Sequence, residues 1–299
     1  MTHKPPPSRL YKYRKFNVHS LRLLTQAQVY YADPRSFNDP LDCDPTIAID
    51  VDRAALERLC YKMLLDAGKN EREAADEIHN MRYLSTEYGD YETDANVETY
   101  LKEQLLGVEI KRLLEAELGA KGVFSLSETW KSPLMWSHYA DEHRGLCLEY
   151  DTTQISHPDI AAVNYRTPRS VKASDIIAWK LEAADEAERR VHSRYFFSKA
   201  HQWRYEKEWR DIRQSSGVVD TGFPVTAIYF GLRCDPAVVA TIVRLFSGEK
   251  NMTFFEIYPL DESFRLKRRL VEVSEIEATG IRSSAVLAFK DVVLPSTIS

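Results

Sequence analysis

The apolar positions change period several times along the chain, and each change marks an element. Residues 9–14 (RLYKYR) alternate, which predicts a first strand with Tyr11 and Tyr13 on one face and Lys12 and Arg14 on the other. A short helix is expected at 19–26 and a second strand at 27–32, carrying Tyr30 and Tyr31. The stretch DPRSFNDPLDCDP that follows is dense in Asp, Asn and Pro, which predicts an ordered loop built on turn chemistry. From Asp52 to Ala67, Leu56, Leu59, Cys60, Met63 and Leu64 recur on one helical stripe, with Gly68 placed as a C-terminal cap. Helical patterning continues over 70–83 and 97–118, where Gly119 ends it. This helical block sits between strands and reads as an insertion or a cap over a site. Simple packing is the alternative.

Further strands are expected at 122–127, 145–150, 161–166, 205–213, 225–231, 253–258 and 264–273. Helices are expected at 133–141, 174–203 and 235–247, and AVLAF near the C-terminus offers an edge strand. Strands separated by long, uneven helical segments predict an α+β fold rather than a regular βαβ array. The expected architecture is a central, mostly antiparallel, strongly twisted sheet with a helical insertion and flanking helices. Residues 1–8 form a disordered lead in this reading. Residues 9–273 form one α+β domain with the insertion at about 52–118, and 274–299 form a C-terminal extension.

Composition narrows the function classes. The chain has 299 residues and a net charge of −5, so no global basic footprint for nucleic acid exists, although a local patch remains open. No apolar run reaches the roughly 18 residues of a membrane span, and MTHKPPPSRL has no apolar core of a signal peptide. The four cysteines are scattered without a CxxC pair, which predicts packed thiols in a reducing compartment and a cytoplasmic location.

The densest chemistry lies at 199–213, KAHQWRYEKEWRDIR. On one strand Glu206, Glu208, Arg210 and Ile212 share a face, with Tyr205, Lys207 and Trp209 on the other. Two carboxylates so close need solvent or a cation such as Arg210. Such a pair can stabilise developing positive charge with one member and orient or deprotonate a nucleophile with the other. A solvated strand face is the plainer reading. Trp203, Tyr205 and Trp209 are suited to pocket walls, though at least three of the five tryptophans are expected to be core or interface.

Two further groups accompany it. In 123–150, Met135, Trp136 and Tyr139 share a helical face, and His138 neighbours Asp141. His143 falls well around the helix from that pair and no HExxH pattern is present, so no metal is expected. His138 or Tyr139 either bonds locally or lines the pocket of Glu208. Asn38 and Asp39 before Pro40 are suited to capping a turn, with ligand contact as the alternative. Arg144 and Arg210 have the fork that matches a pyrophosphate, or else pair with a carboxylate such as Glu206 or Glu149.

LYKYR, SFNDPLD, SLSETWKSPLMWSHYADEHRGLCLEYD, VNY, KAHQWRYEKEWRDI and AIYFG occur in this order. Together they resemble the bacterial family called domain of unknown function 2971, whose members resemble accessory proteins of defence and mobile-element settings. A second resemblance, to ADP-ribosyltransferase-like enzymes, implies a mechanism. It implies NAD contacts from Lys12, Tyr13 or Arg14 on the first strand and from Tyr30 or Tyr31 on the second. It also implies a catalytic Glu208 that stabilises the ribose cation and a Glu206 that orients the acceptor. His138, Tyr139, Trp203 and Arg210 complete the expected NAD site. The chain departs from the arginine-modifying branch in lacking a Ser-Thr-Ser stretch on the second strand.

The function so implied is NAD-dependent ADP-ribosyl transfer to a macromolecular acceptor, as a toxin or antiviral-defence effector. One alternative is a metal-dependent nuclease or hydrolase using Asp39, Glu206, Glu208 and His138. The other is a non-catalytic module that senses a ligand or phage component.

Overall fold

A computed structural model describes residues 5–87, 95–153 and 160–279. In chain order the strands are β1 (Arg9–Arg14), β2 (Gln28–Tyr31), β3 (Thr46–Ala48), β4 (Gly122–Ser127), β5 (Leu146–Asp151), β6 (Ala161–Ala162), β7 (Ser170–Lys172), β8 (Glu208–Arg213), β9 (Gly217–Asp220), β10 (Val225–Phe230), β11 (Thr253–Pro259) and β12 (Leu266–Leu270). The helices are α1 (Val18–Thr25), α2 (Arg53–Asp66), α3 (Glu71–Glu87), α4 (Ala95–Leu118), α5 (Pro133–Tyr139), α6 (Ala173–Lys180), α7 (Asp185–Phe196), α8 (Pro236–Phe246) and α9 (Val273–Thr279). The fold is α+β.

Eight strands form one sheet in the order β12-β11-β10-β5-β1-β4-β8-β6. Every neighbouring pair is antiparallel except β10–β11, which α8 connects as a crossover. Alternation sends Leu10, Phe124, Leu126, Leu148, Trp209, Ile228 and Phe230 to one face, where Val239, Ile242 and Val243 of α8 cover them. The other face carries Tyr13, Cys147, Ala227 and Tyr229, covered by Trp136 of α5. Two small ladders, β2–β9 and β3–β7, flank the sheet. The patterning did not foresee β3, β7 or β9, which are short. AVLAF lies outside the described residues.

The helical block builds its own core. Leu56, Leu59, Leu64, Ile110 and Leu114 pack with Val171, Ile176, Val191 and Phe196. Gly68 takes φ +93 where the chain leaves α2, the left-handed cap expected of it.

The long helix expected over 174–203 is a correction. It divides into α6, α7 and a 3-10 turn at His201–Glu206. Ala183 takes φ 51 between α6 and α7, and Asp185, Glu186 and Glu188 then open α7, where carboxylates favour a helix start. Among the described residues no helix is long and apolar enough to cross a membrane.

One irregularity positions the site. Strand β1 pairs with β5 along six residues, but it meets β4 only at Tyr11 and Ser127. Past that point the edge of β4 belongs to Ala32, which exchanges two 2.9 Å backbone bonds with Val123. Backbone groups of alternate residues face the same side of a strand. The N–H and C=O of Tyr13, two residues beyond Tyr11, therefore face the gap between β1 and β4. Ser125, midway between Val123 and Ser127, faces it from the other side.

Candidate active site

The gap opens into a cleft of about 330 Å3. Its walls include Tyr11, Lys12, Tyr13 and Arg14 from β1, Tyr30 from β2, Phe37 and Asn38 from the loop, Ser125 and Ser127 from β4, and Tyr139 from α5. Asp42, Lys199, Glu206, Glu208 and Arg210 reach the same cleft. Volumes of about 300 Å3 and above are typical of small-molecule sites.

The five charged residues form one buried cluster. Arg210 is 0% exposed. Its guanidinium donates to Asp42 at 2.6 and 2.9 Å, to Glu208 at 2.8 and 3.0 Å, and to the Phe196 carbonyl at 2.7 Å. Lys199 Nζ reaches Glu206 at 2.5 Å, Glu208 at 3.0 Å and Asp42 at 3.2 Å. The ammonium thus donates to two carboxylates and forms an ion pair with a third. Two cations face three anions, so the cluster nearly neutralises itself.

Environment separates the two glutamates. Burial pushes Glu208 upward, but Arg210 and Lys199 outweigh it and hold the carboxyl well below the usual range. Both its oxygens already accept from cations. Burial pushes Glu206 up, and the charge of Glu208 adds to this against the pull of Lys199. Glu206 Oε1 accepts from the Tyr139 hydroxyl at 2.6 Å. Burial beside Glu206 keeps that hydroxyl protonated and donating. Asn38 Nδ2 in turn reaches the Tyr139 oxygen at 3.4 Å.

Local backbone geometry sets this arrangement. Glu206 closes the 3-10 turn, Lys207 takes φ 46 and ψ 50, and β8 begins at Glu208. Strand alternation predicted that Glu206, Glu208 and Arg210 would meet. They do, but a left-handed Lys207 brings Glu206 in, rather than a continuous strand. The Ser127 hydroxyl fixes the junction by donating to the Glu206 carbonyl at 2.6 Å.

Lys12 stands apart from the cluster and bridges the gap, donating to the Ser125 carbonyl at 2.7 Å. Burial, reinforced by the charge of Arg14, pulls its amine down to about 7.

Among the expected NAD contacts, Lys12, Tyr13, Arg14, Tyr139 and Arg210 line the cleft. Tyr31 does not. It is 0% exposed and donates to Asp211, while Tyr30 lines the cleft instead. Trp203 lies over Lys199 with 5.2 Å from Nζ to the ring centre, and its indole N–H donates to Asp39 at 2.7 Å. His138 packs against Trp203 and Tyr205, with ring centres 6.4 and 6.3 Å away, and does not line the cleft. Three consecutive left-handed residues, Asp141, Glu142 and His143, turn the chain so that His143 stacks on Trp136. His138, Asp141 and His143 thus form no common set.

Asp39 does cap its turn, accepting from the Leu41 N–H at 2.9 Å, whereas Asn38 faces the cleft. Arg144 pairs with Glu142 at 2.7 Å. Among the described residues none of 52–118 lines the cleft, and the described part of the helical block packs on α6 and α7. Trp130, Trp136 and Trp209 are core, as expected for three of the five, and all four cysteines are free.

Sequence reasoning missed Asp42 and the role of Lys199. An acid between Leu41 and Cys43, and a lysine following FFS, were the available signals, since an ionic group in an apolar setting needs a partner.

Fold and site together define an α+β protein with a cleft in a split sheet, floored by a nearly self-neutralising ionic cluster. Residues 135–210 match the model of a family described as "Protein of unknown function (DUF2971)", the family read from the sequence. The matched stretch starts in α5 and ends at Arg210, so it contains Tyr139, Lys199, Glu206 and Glu208. No curated protein and no solved structure matches the chain.

Proposed function

We propose that the cleft binds NAD and that the protein is an ADP-ribosyltransferase-like enzyme whose working carboxylate is Glu206. One observation carries this reading. Glu206, held by Tyr139 and Lys199, shares a single cleft with the first-strand cations Lys12 and Arg14. Cations on one wall suit a pyrophosphate, and a carboxylate suits a ribose that becomes positive. The backbone groups of Tyr13 and Ser125 that face the gap suit an amide such as the nicotinamide carboxamide.

In the reaction the bond between ribose C1′ and the nicotinamide nitrogen breaks, and its electron pair leaves with nicotinamide. Glu206 offers negative charge to the resulting oxocarbenium ion. The acceptor's nucleophile then bonds C1′ and gives its proton to the carboxylate or to water. Glu208 accepts from cations on both oxygens, whereas Glu206 meets one cation and a neutral hydroxyl, so the part of Glu208 is to hold Lys199 and Arg210 in place.

The test is release of nicotinamide from NAD, with and without cell lysate as acceptor source. Wild type releases it, and Glu206→Gln lowers the rate at least about a hundredfold, the scale of losing a positioned electrostatic or acid–base group.

A second reading, a ligand-sensing module without turnover, is favoured by the mutual pairing of Lys199, Glu208 and Arg210, which suits a fixed recognition floor. It predicts that Glu206→Gln weakens ligand binding while no nicotinamide is released by any variant. The hydrolase reading fits less well. Among the described residues no three His, Cys, Asp or Glu are arranged to hold a metal. Asp42, Glu206 and Glu208 are already held by Lys199, and Arg210 also holds Asp42 and Glu208.

A further inference from the structure

The 3-10 turn His201–Glu206 has an outer side that takes no part in the cleft. Side chains three apart eclipse in such a turn, so its residues fall into rows. Trp203 and Glu206 form the inner row, and both meet Lys199. His201 and Arg204 form a second row, and Gln202 and Tyr205 a third. His201, Gln202 and Arg204 are exposed, and Trp203 and Tyr205 are half-buried. Lys207, which closes the turn, is exposed as well.

Rings and cations interleave on this outer side. His138, exposed on α5, stands 6.3 Å from Tyr205 and 6.4 Å from Trp203 between ring centres, and Trp203 stands 6.0 Å from Tyr205. The trio adjoins the cleft, because His138 is 6.2 Å from Tyr139, which lines it. Among the described residues neither Arg204 nor Lys207 forms an ion pair. Asp39, the carboxylate that touches the trio, accepts from the Trp203 indole and from the Leu41 N–H.

Exposed cations are solvated and need no ligand on their own account. The rings choose between ligands. A nucleobase stacks on a half-exposed ring whatever its sequence, while its phosphate meets a neighbouring cation. An acidic peptide uses the cations and leaves the rings in water. A duplex keeps its bases stacked on one another, out of the rings' reach. The net charge of −5 does not forbid this, because only charges within a Debye length of about 10 Å act on a bound strand.

We infer that this outer side binds single-stranded nucleic acid, with bases on Tyr205, His138 and Trp203 and phosphates on Arg204 and Lys207. A strand held there lies at the mouth of the cleft beside Glu206, where an acceptor of the proposed transfer has to sit. The binding itself does not depend on NAD being the ligand of the cleft.

Fluorescence anisotropy tests it, with labelled single strands of DNA and of RNA about 12 nucleotides long titrated by the full chain at low salt and without NAD. A blunt DNA duplex of the same length and a poly-glutamate peptide serve as competing probes. Wild type binds at least one single strand saturably, and the two arms assign the surface to DNA or to RNA. Arg204→Glu, at an exposed position, weakens that binding at least about tenfold, the scale of losing a phosphate contact and gaining a repulsion. Tyr205→Leu keeps apolar bulk but loses the ring face, and weakens it at least about fivefold, whereas Tyr205→Trp restores it. Nicotinamide release is read separately, so its absence leaves this inference standing. Absence of saturable binding to both single strands would overturn it. So would undiminished binding by Arg204→Glu or Tyr205→Leu, or equal affinity for the duplex or for poly-glutamate.

Discussion

Arg210 is the residue on which the floor of the cleft depends. It is fully buried and joins β8 to Asp42 and to the end of α7. Removing one partner of a buried ion pair leaves the others uncompensated, at a cost of about 3–5 kcal/mol. Arg210→Met is therefore expected to lower unfolding free energy by about that amount in urea titration. An unchanged midpoint would show that the cluster contributes nothing net.

Lys12 gives a prediction of a different kind. Its amine loses its charge near pH 7, so affinity for an anionic ligand should fall roughly tenfold between about pH 6 and about pH 8, following the protonated fraction. Lys12→Arg stays charged throughout and should flatten that profile in calorimetric titration. Glu206, Glu208 and Arg210 were legible as a group because charges spaced by two among aromatics are rarely idle. Asp42 was not, because its partners lie more than 150 positions along the chain and no local pattern encodes that distance.

At the scale of elements, the sequence announced strands and helices wherever the apolar period ran for several turns or pleats. It failed where one residue decides. Nothing in the period of 174–203 signals the left-handed Ala183, although the acids that start α7 were visible. Lys207 is the same kind of position, and it places Glu206. It is exposed and its φ is 46, so Lys207→Gly should be neutral or stabilising by up to about 1 kcal/mol. Lys207→Val should instead destabilise and impair the cleft, because a β-branched side chain resists that backbone. Equal urea midpoints for the two variants would contradict this account of the junction. The split between β1 and β4 was also invisible, since both strands have strong local patterns and only the intrusion of Ala32 separates them.

For the whole molecule, the fold class followed from the uneven spacing of strands and helices, while the place of the helical block did not. Its apolar stripe could equally have covered the cleft, and it covers α6 and α7 instead. The ionic cluster also sets a pH dependence of stability. Glu208 is held well below its ordinary value of about 4.3. The unfolded chain therefore binds a proton there that the folded chain refuses. Its stabilisation is complete above that value and drains away as the pH falls. The difference in urea midpoint between wild type and Glu208→Gln should stay level from about pH 7 to about pH 5 and shrink steadily from there to about pH 3. A difference that stays constant would mean that Glu208 is not the anion described here.

The central claim is that Glu206, in a cleft shared with Lys12 and Arg14, acts on NAD. Its most direct test is the rate of nicotinamide release from NAD by wild type and by Glu206→Gln, both verified as folded. Release by wild type and loss of at least about a hundredfold in the variant is the predicted result. Equal release by the two, or none from wild type with any lysate, would contradict it.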